Sequence, residues 1–255
     1  HVSRRSPLDQ ASLSQDGNVR SDRNPGRVVG VWYLLLVLGG PLSLIYIPNK
    51  LFVPGDAATT AANIAAHALL FRVGMVSDLV GGLLLIFLVL AFYRLFKGVD
   101  QHLAVLLVIT GGIMPALLNF VGVVYDAGAL VAAQGADFLT VFDAAQHNAL
   151  VMLFLRLHHY QITAAEILWG VWLFPMGLLS YKSGFVPRVI GVWLLINGAA
   201  YLALSLSGFF VPAAQDRLFM YSQPALFGEL AIMLWLLIKG ARPPEPAALP
   251  APAAP

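Results

Sequence analysis

Hydrophobic residues run along this chain in six long blocks, over about 28–47, 70–96, 103–125, 161–181, 187–209 and 220–239, separated by short polar breaks. Nearly all reach the roughly 20 residues needed to cross a bilayer as a helix. Backbone groups in lipid must find partners within their own segment, so each block is expected to be a helix. The pattern therefore predicts an all-α integral membrane bundle of about six transmembrane helices. The polar stretch over residues 1–27, with Arg4, Arg5, Arg20, Arg23 and Arg27, reads as a disordered cytoplasmic tail. It does not read as a signal peptide, because the apolar block after it is too long and lacks a small-residue cleavage site. The Pro/Ala-rich stretch 241–255 reads as a second disordered tail. Between them, residues 28–240 form the transmembrane domain.

One segment fits neither class. Residues 137–160 hold an apolar core from Asn148 to Leu155, flanked by Asp137 and by Arg156, His158 and His159. This stretch is expected to lie in the membrane interface as a separate helix; a re-entrant or seventh span is the alternative. A seventh span would invert the charge bias of everything that follows it.

Composition agrees with the pattern. Of 255 residues, 59% are hydrophobic and only 11% charged, against about 25% charged in ordinary soluble domains. The net charge of +2 is too small to suggest nucleic acid as a partner. The partners expected are the lipid bilayer itself, a small molecule or lipid, and a membrane protein. With no cysteine in the chain, disulfides, thiolate chemistry and Cys-ligated metals are excluded. Placing 11 of the 15 basic residues inside, including Arg94, Lys97, Lys182, Arg188, Lys239 and Arg242, leaves Lys50, Arg72, Arg156 and Arg217 outside. That asymmetry puts both termini in the cytoplasm.

Ionisable groups inside spans are costly, so each needs an explanation. Asp78, Glu166 and Glu229 fall within three different blocks. On the assigned topology they sit in the outer half or near the midplane, where they could converge on one outer-facing polar pocket. His67, Arg72, His147 and His158 lie toward the same side, with Asp126, His159 and Asn119 as further neighbours. The competing explanation is packing: Gly74, Asp78, Gly82 and Leu85 share one helical stripe on which small residues let helices approach closely. No His-Glu-x-x-His spacing and no Gly-x-Ser-x-Gly elbow is present, so no metal, cofactor or hydrolytic motif is assigned. Gly26 and Gly30 form a GxxxG pair at the entrance of the first block. The segments Arg27-Val-Val-Gly-Val-Trp and Arg188-Val-Ile-Gly-Val-Trp echo one another, but the match does not continue beyond them. The tryptophans, Trp169 among them, read as interfacial anchors.

The run from Trp169 to Trp193, with its Tyr181-Lys-Ser-Gly-Phe-Val-Pro-Arg188 hairpin, resembles the family called domain of unknown function 4386. So do Phe71-Arg-Val-Gly-Met-Val-Ser-Asp-Leu79 and Pro54-Gly-Asp-Ala57. The resemblance covers about residues 28–240 and implies a bacterial polytopic membrane protein, but supplies no activity and no site residues. Three roles remain open: an accessory or binding protein with an outer-facing pocket, an intramembrane enzyme using carboxylates and a histidine, and a small transporter.

Overall fold

The computed structural model describes residues 24–243. The tails expected over 1–27 and 241–255 lie outside the described residues, apart from 24–27 and 241–243. Of those, Pro25 to Arg27 already belong to the first helix. Asn24 caps it, its Oδ1 accepting from the backbone N–H groups of Gly26 and Arg27 at 3.0 and 3.3 Å, and Pro25 supplies a preset first turn.

Seven helices and one short turn make up the described chain. They are α1 (Pro25–Leu51), α2 (Ala57–Ala66), α3 (Ala68–Phe96), α4 (Gln101–Gln134), α5 (Ala144–Ser183), α6 (Arg188–Phe210) and α7 (Pro212–Ile238). All but α2 are long and apolar enough to cross a membrane. Each of the six spanning helices falls on one of the apolar blocks. The last starts at Pro212, ahead of Gln215-Asp216-Arg217, because proline suits the first turn, and it runs on through Pro224 to Ile238.

A separate interfacial helix over 137–160 does not form. Residues 144–171 are one continuous helix, running on through a single irregular turn at Trp172 to Ser183. The physical reason is a capping box that starts the helix. Asp143 Oδ1 accepts from Gln146 N–H at 2.8 Å, and Gln146 Oε1 accepts from Asp143 N–H at 2.9 Å. No Gly or Pro occurs between Ala144 and Trp169 to stop it. At 1.5 Å per residue α5 is roughly 60 Å long, about twice a bilayer's hydrocarbon thickness. Its amino-terminal stretch, with Gln146, His147 and Asn148, therefore extends past the apolar zone. A short helix outside the spans does occur, at α2, where Asp56 caps Thr59.

The spans close into a ring in the order α1, α3, α4, α5, α6, α7, with α7 packed back on α1. The ring is tied at what is here called the basal end, which carries Pro25, the α3–α4 and α5–α6 turns, and Ile238. There Gly26 N–H donates to Ala241 O at 3.0 Å and Ala241 N–H to Asn24 Oδ1 at 2.9 Å. The GxxxG pair makes this contact. A Cβ on Gly26 would collide with the Ala241 backbone, and one on Gly30 would sit 2.6 Å from Leu237 N. The basal half of the interior is filled by a dry cluster that includes Val29, Phe92, Phe96, Leu107, Trp172, Met176, Leu194 and Leu236. A smaller cluster of Ile47, Leu51, Ile64, Phe71, Ala129 and Val151 packs α2 onto the distal end.

Three spans are irregular where they border the interior. After Pro41, α1 widens into a π-turn over Leu42–Tyr46, and α4 does the same over Ile109–Ile113 just before Pro115. Pro115 has no N–H for the carbonyl of Gly111, so the turn opens there. Trp172 lies on the face of Gly111, where any side chain would clash with its ring. In α5, Pro175 likewise leaves Val171 O without its helical donor, next to the break at Trp172.

Candidate functional site

Distal to the dry cluster the ring encloses a cavity of about 360 Å³ to which every spanning helix contributes. From α1 come Gly39, Gly40 and Ser43; from α3, Ser77, Asp78 and Gly81; from α4, Asn119 and Gly122. Helix α5 supplies His158, Gln161, Trp169 and Trp172, α6 supplies Tyr201, and α7 supplies Glu229. Helix rise places Glu229, nine residues before the end of α7, roughly 13 Å from the basal end. Asp78 lies 18 residues before the end of α3, or roughly 27 Å from it. The cavity thus reaches from near the bilayer midplane toward the distal boundary, with a carboxylate at each level.

The deeper carboxylate is held by aromatic hydroxyls. Tyr33 on α1, itself buried, donates to Glu229 Oε2 at 2.5 Å. Tyr201 and Asn197 on α6 face the same carboxyl group. Glu229 is half-buried and lines the cavity. Trp169 and Tyr201 meet edge to face beside it, with ring centroids 5.9 Å apart. Trp169 is therefore a wall of the cavity rather than the interfacial anchor expected from its position.

The shallower group is an acid–base cluster. His158 Nδ1 lies 2.6 Å from Asp126 Oδ1, and Asp126 is 6% exposed. Asp78 stands close to both and faces the Ser43 hydroxyl. Asn119 Nδ2 donates to the main-chain O of Asp78 at 3.4 Å, and Ser77 Oγ to Gly39 O at 3.5 Å. A second cavity, of about 510 Å³, meets the first at Ser43, Leu44, Asp78, His158 and Ile162. It extends distally past Phe52, Pro54, Thr60, Arg156 and His159. The Asp78–Asp126–His158 cluster is the boundary between the two.

Of the residues expected to share a pocket, the structure brings Asp78, His158 and Glu229 onto one cavity. Glu166 is outside its lining, half-buried, with Oε2 unpartnered among the described residues. Arg72 Nη2 donates to Gln134 Oε1 at 3.2 Å, His67 Nδ1 bonds Asn63 O at 3.1 Å, and His147 Nε2 bonds Leu139 O at 2.9 Å. These three bonds are local or on the distal surface, away from the cavity. The structure adds Gln161 and Tyr201 to the lining, and Tyr33 behind Glu229. Tyr33 and Tyr201 are polar groups inside apolar blocks, whereas Gln161 opens the block over 161–181. Among the described residues no group of three or more His, Asp or Glu is placed to hold a metal ion.

A ring of six spans around a lipid-depth cavity defines an all-α, multi-pass membrane protein. Its sequence belongs to the family described as Domain of unknown function (DUF4386), whose model matches residues 28–240. An uncharacterised protein of Archaeoglobus fulgidus is 32% identical over 84 residues, which is 33% of this chain and 49% of that protein. The chain thus spans about half the length of that relative. No solved structure matches.

Proposed function

We propose that the protein binds a small, membrane-borne molecule inside the ring, reached from the distal side through the larger cavity. The observation that carries this reading is the convergence of all six spans on one cavity of about 360 Å³. That is within the roughly 300–1,000 Å³ typical of ligand sites, and mostly apolar walls with a few placed polar groups are the usual lining. A scaffold alone would gain stability from filling this space, since packed side chains out-compete voids. The excess of basic residues at the basal end supports a cytoplasmic basal side and a distal side facing out of a bacterial inner membrane. An accessory role, presenting the bound molecule to a partner protein, is consistent with this placement.

The test is a comparison of wild type with Gly39→Leu. A Cβ at Gly39 meets only Ser77 Oγ, at 3.9 Å, so a leucine extends into the cavity without striking backbone. Mass spectrometry of the purified protein should detect a co-purified molecule that Gly39→Leu loses while keeping the wild-type thermal midpoint. Equal retention by the variant would sink the reading.

A second reading, acid–base chemistry on a molecule in the same cavity, is favoured by one observation: the 2.6 Å Asp126–His158 contact. A histidine oriented by a carboxylate is a common general base. This reading expects His158→Gln to abolish turnover of the co-purified molecule while leaving it bound.

A further inference from the structure

The cavity's charges do not balance. Among the described residues two carboxylates, Asp78 and Glu229, line it, and no lysine or arginine does. His158 is the one basic side chain in the lining, and its Nδ1 is engaged by Asp126. Arg72, on the same helix as Asp78, bonds Gln134, and Arg156 lines only the neighbouring cavity. Three acids, Asp78, Asp126 and Glu229, thus share one histidine in a low-dielectric interior, where an uncompensated carboxylate is costly. The hydroxyl of Tyr33 donates to Glu229 and satisfies a lone pair, but contributes no formal charge.

Gln161 adds an amide beside His158. Gln161 lines the same cavity and is only 8% exposed, and its Oε1 is buried with no hydrogen-bond partner among the described residues. Buried amide oxygens are rarely left unpaired. Gly122 makes room for this group, since a Cβ there would lie 2.7 Å from Gln161 Oε1. Deeper in the cavity, beside Glu229, Trp169 and Tyr201 meet at 78°. Aromatic corners of this kind attract organic cations through the ring quadrupole.

We propose that the molecule held in the cavity is an apolar amine or quaternary ammonium compound, its cation drawn to Glu229 at the Trp169–Tyr201 corner and its apolar body filling the cavity toward Asp78. This assignment rests on the binding function proposed above and gives it a chemical class. An anion of the same size meets two carboxylates and is rejected.

The experiment uses isosteric probes on the full chain in lipid nanodiscs, read by tryptophan fluorescence. Benzyltrimethylammonium is compared with its neutral carbon isostere neopentylbenzene and with the anion phenylmethanesulfonate. The cation is expected to bind about tenfold or more tighter than the neutral isostere. Glu229→Gln should shrink that ratio more than Asp78→Asn does, both leaving neopentylbenzene binding unchanged. The unchanged neutral probe also reports that the variants are folded. Equal binding of cation and neutral isostere overturns the amine assignment but leaves the cavity a binding site. Tighter binding of the anion overturns the assignment as well. Failure of both the cation and the neutral isostere to bind, with no co-purified molecule, overturns the binding function too.

Discussion

Tyr33 and Glu229 lie 196 positions apart in sequence and form a 2.5 Å hydrogen bond across the seam where α7 meets α1. That bond closes the ring at the depth where the dry basal cluster gives way to the cavity. Losing the hydroxyl in Tyr33→Phe leaves a buried acceptor short of a donor. The expected cost is roughly 1–2 kcal/mol, the range for interhelical polar contacts in membranes. The double variant Tyr33→Phe/Glu229→Leu should cost less than the sum of the single changes, because it removes both partners. Denaturation with a denaturing detergent measures all three. An additive double variant would show that the bond does not couple the two helices.

Below that bond, the seam depends on absent side chains. Gly30→Ala places a Cβ 2.6 Å from Leu237 N, a backbone atom that cannot rotate away. Overpacking of this kind costs roughly 1–3 kcal/mol. Gly98→Ala, in a turn with nothing within 4 Å of the added carbon, serves as the matched control and should be close to neutral. Thermal midpoints of the two variants decide the matter, and equal midpoints would mean that α1 and α7 do not meet at Gly30.

The spans were legible in the sequence because lipid imposes one strong rule, a long apolar block for each crossing, and the chain obeys it six times. What hydropathy hid was the first half of α5. Arg156, His158 and His159 interrupt the apolar signal there, yet the Asp143–Gln146 capping box and the lack of any breaker set the helix. The Gly26/Gly30 pair announced a close helix contact but not its partner, since Leu237 and Ala241 lie at the far end of the chain. Three intramembrane acids were visible as an anomaly. That Asp78 and Glu229 reach one cavity while Glu166 stays outside it depends on helix rotation, which composition does not encode. The paired echo at Arg27 and Arg188 marks two similar helix entrances. Gly30 packs on Leu237, and Gly191 on Gly177 O, so each echo marks a helix entrance with a contact glycine.

His158 and Asp126 join α5 to α4 at the boundary between the two cavities. Because Asp126 is nearly enclosed, removing either member strands the other. In the cycle built from His158→Gln and Asp126→Asn, a coupling of roughly 0.5–3 kcal/mol is expected, as for contacting residues in one network. Detergent unfolding of the four proteins measures it, and a coupling near zero would make the contact incidental.

At the basal surface Asp100 caps α4, its Oδ1 accepting from Leu103 N–H at 3.1 Å, while Oδ2 takes Lys182 Nζ at 3.2 Å. The Leu103 bond first, and Lys182 second, hold its carboxyl below the usual carboxylate range. A lowered folded-state value means the stabilisation is present above the ordinary value of about 3.9. It is lost as pH falls through the lowered value. Wild-type midpoints should therefore drop on acidification through that window. Asp100→Asn keeps a capping side chain but no charge. It should start lower at neutral pH and show a shallower acid drop. Parallel curves for the two proteins would remove Asp100 from the acid response.

The ring fixes which turns share a side, and the charge pattern predicts which side that is. The α3–α4 turn at Gly98 is basal, whereas Val141, 80% exposed before α5, is distal. Because the chain has no cysteine, Gly98→Cys and Val141→Cys each give a single thiol on a silent background. In cells with an intact cytoplasmic membrane, an impermeant maleimide should label Val141→Cys at once and Gly98→Cys only after permeabilisation. The reverse pattern would invert the orientation and make the cavity open toward the cytoplasm. Labelling of both from one side would contradict the ring itself, since α4 would then not cross between them. The predicted pattern places the Arg156 and His159 approach to the cavity on the outer face, where a molecule in the outer leaflet could reach Asp78 without crossing the dry basal cluster.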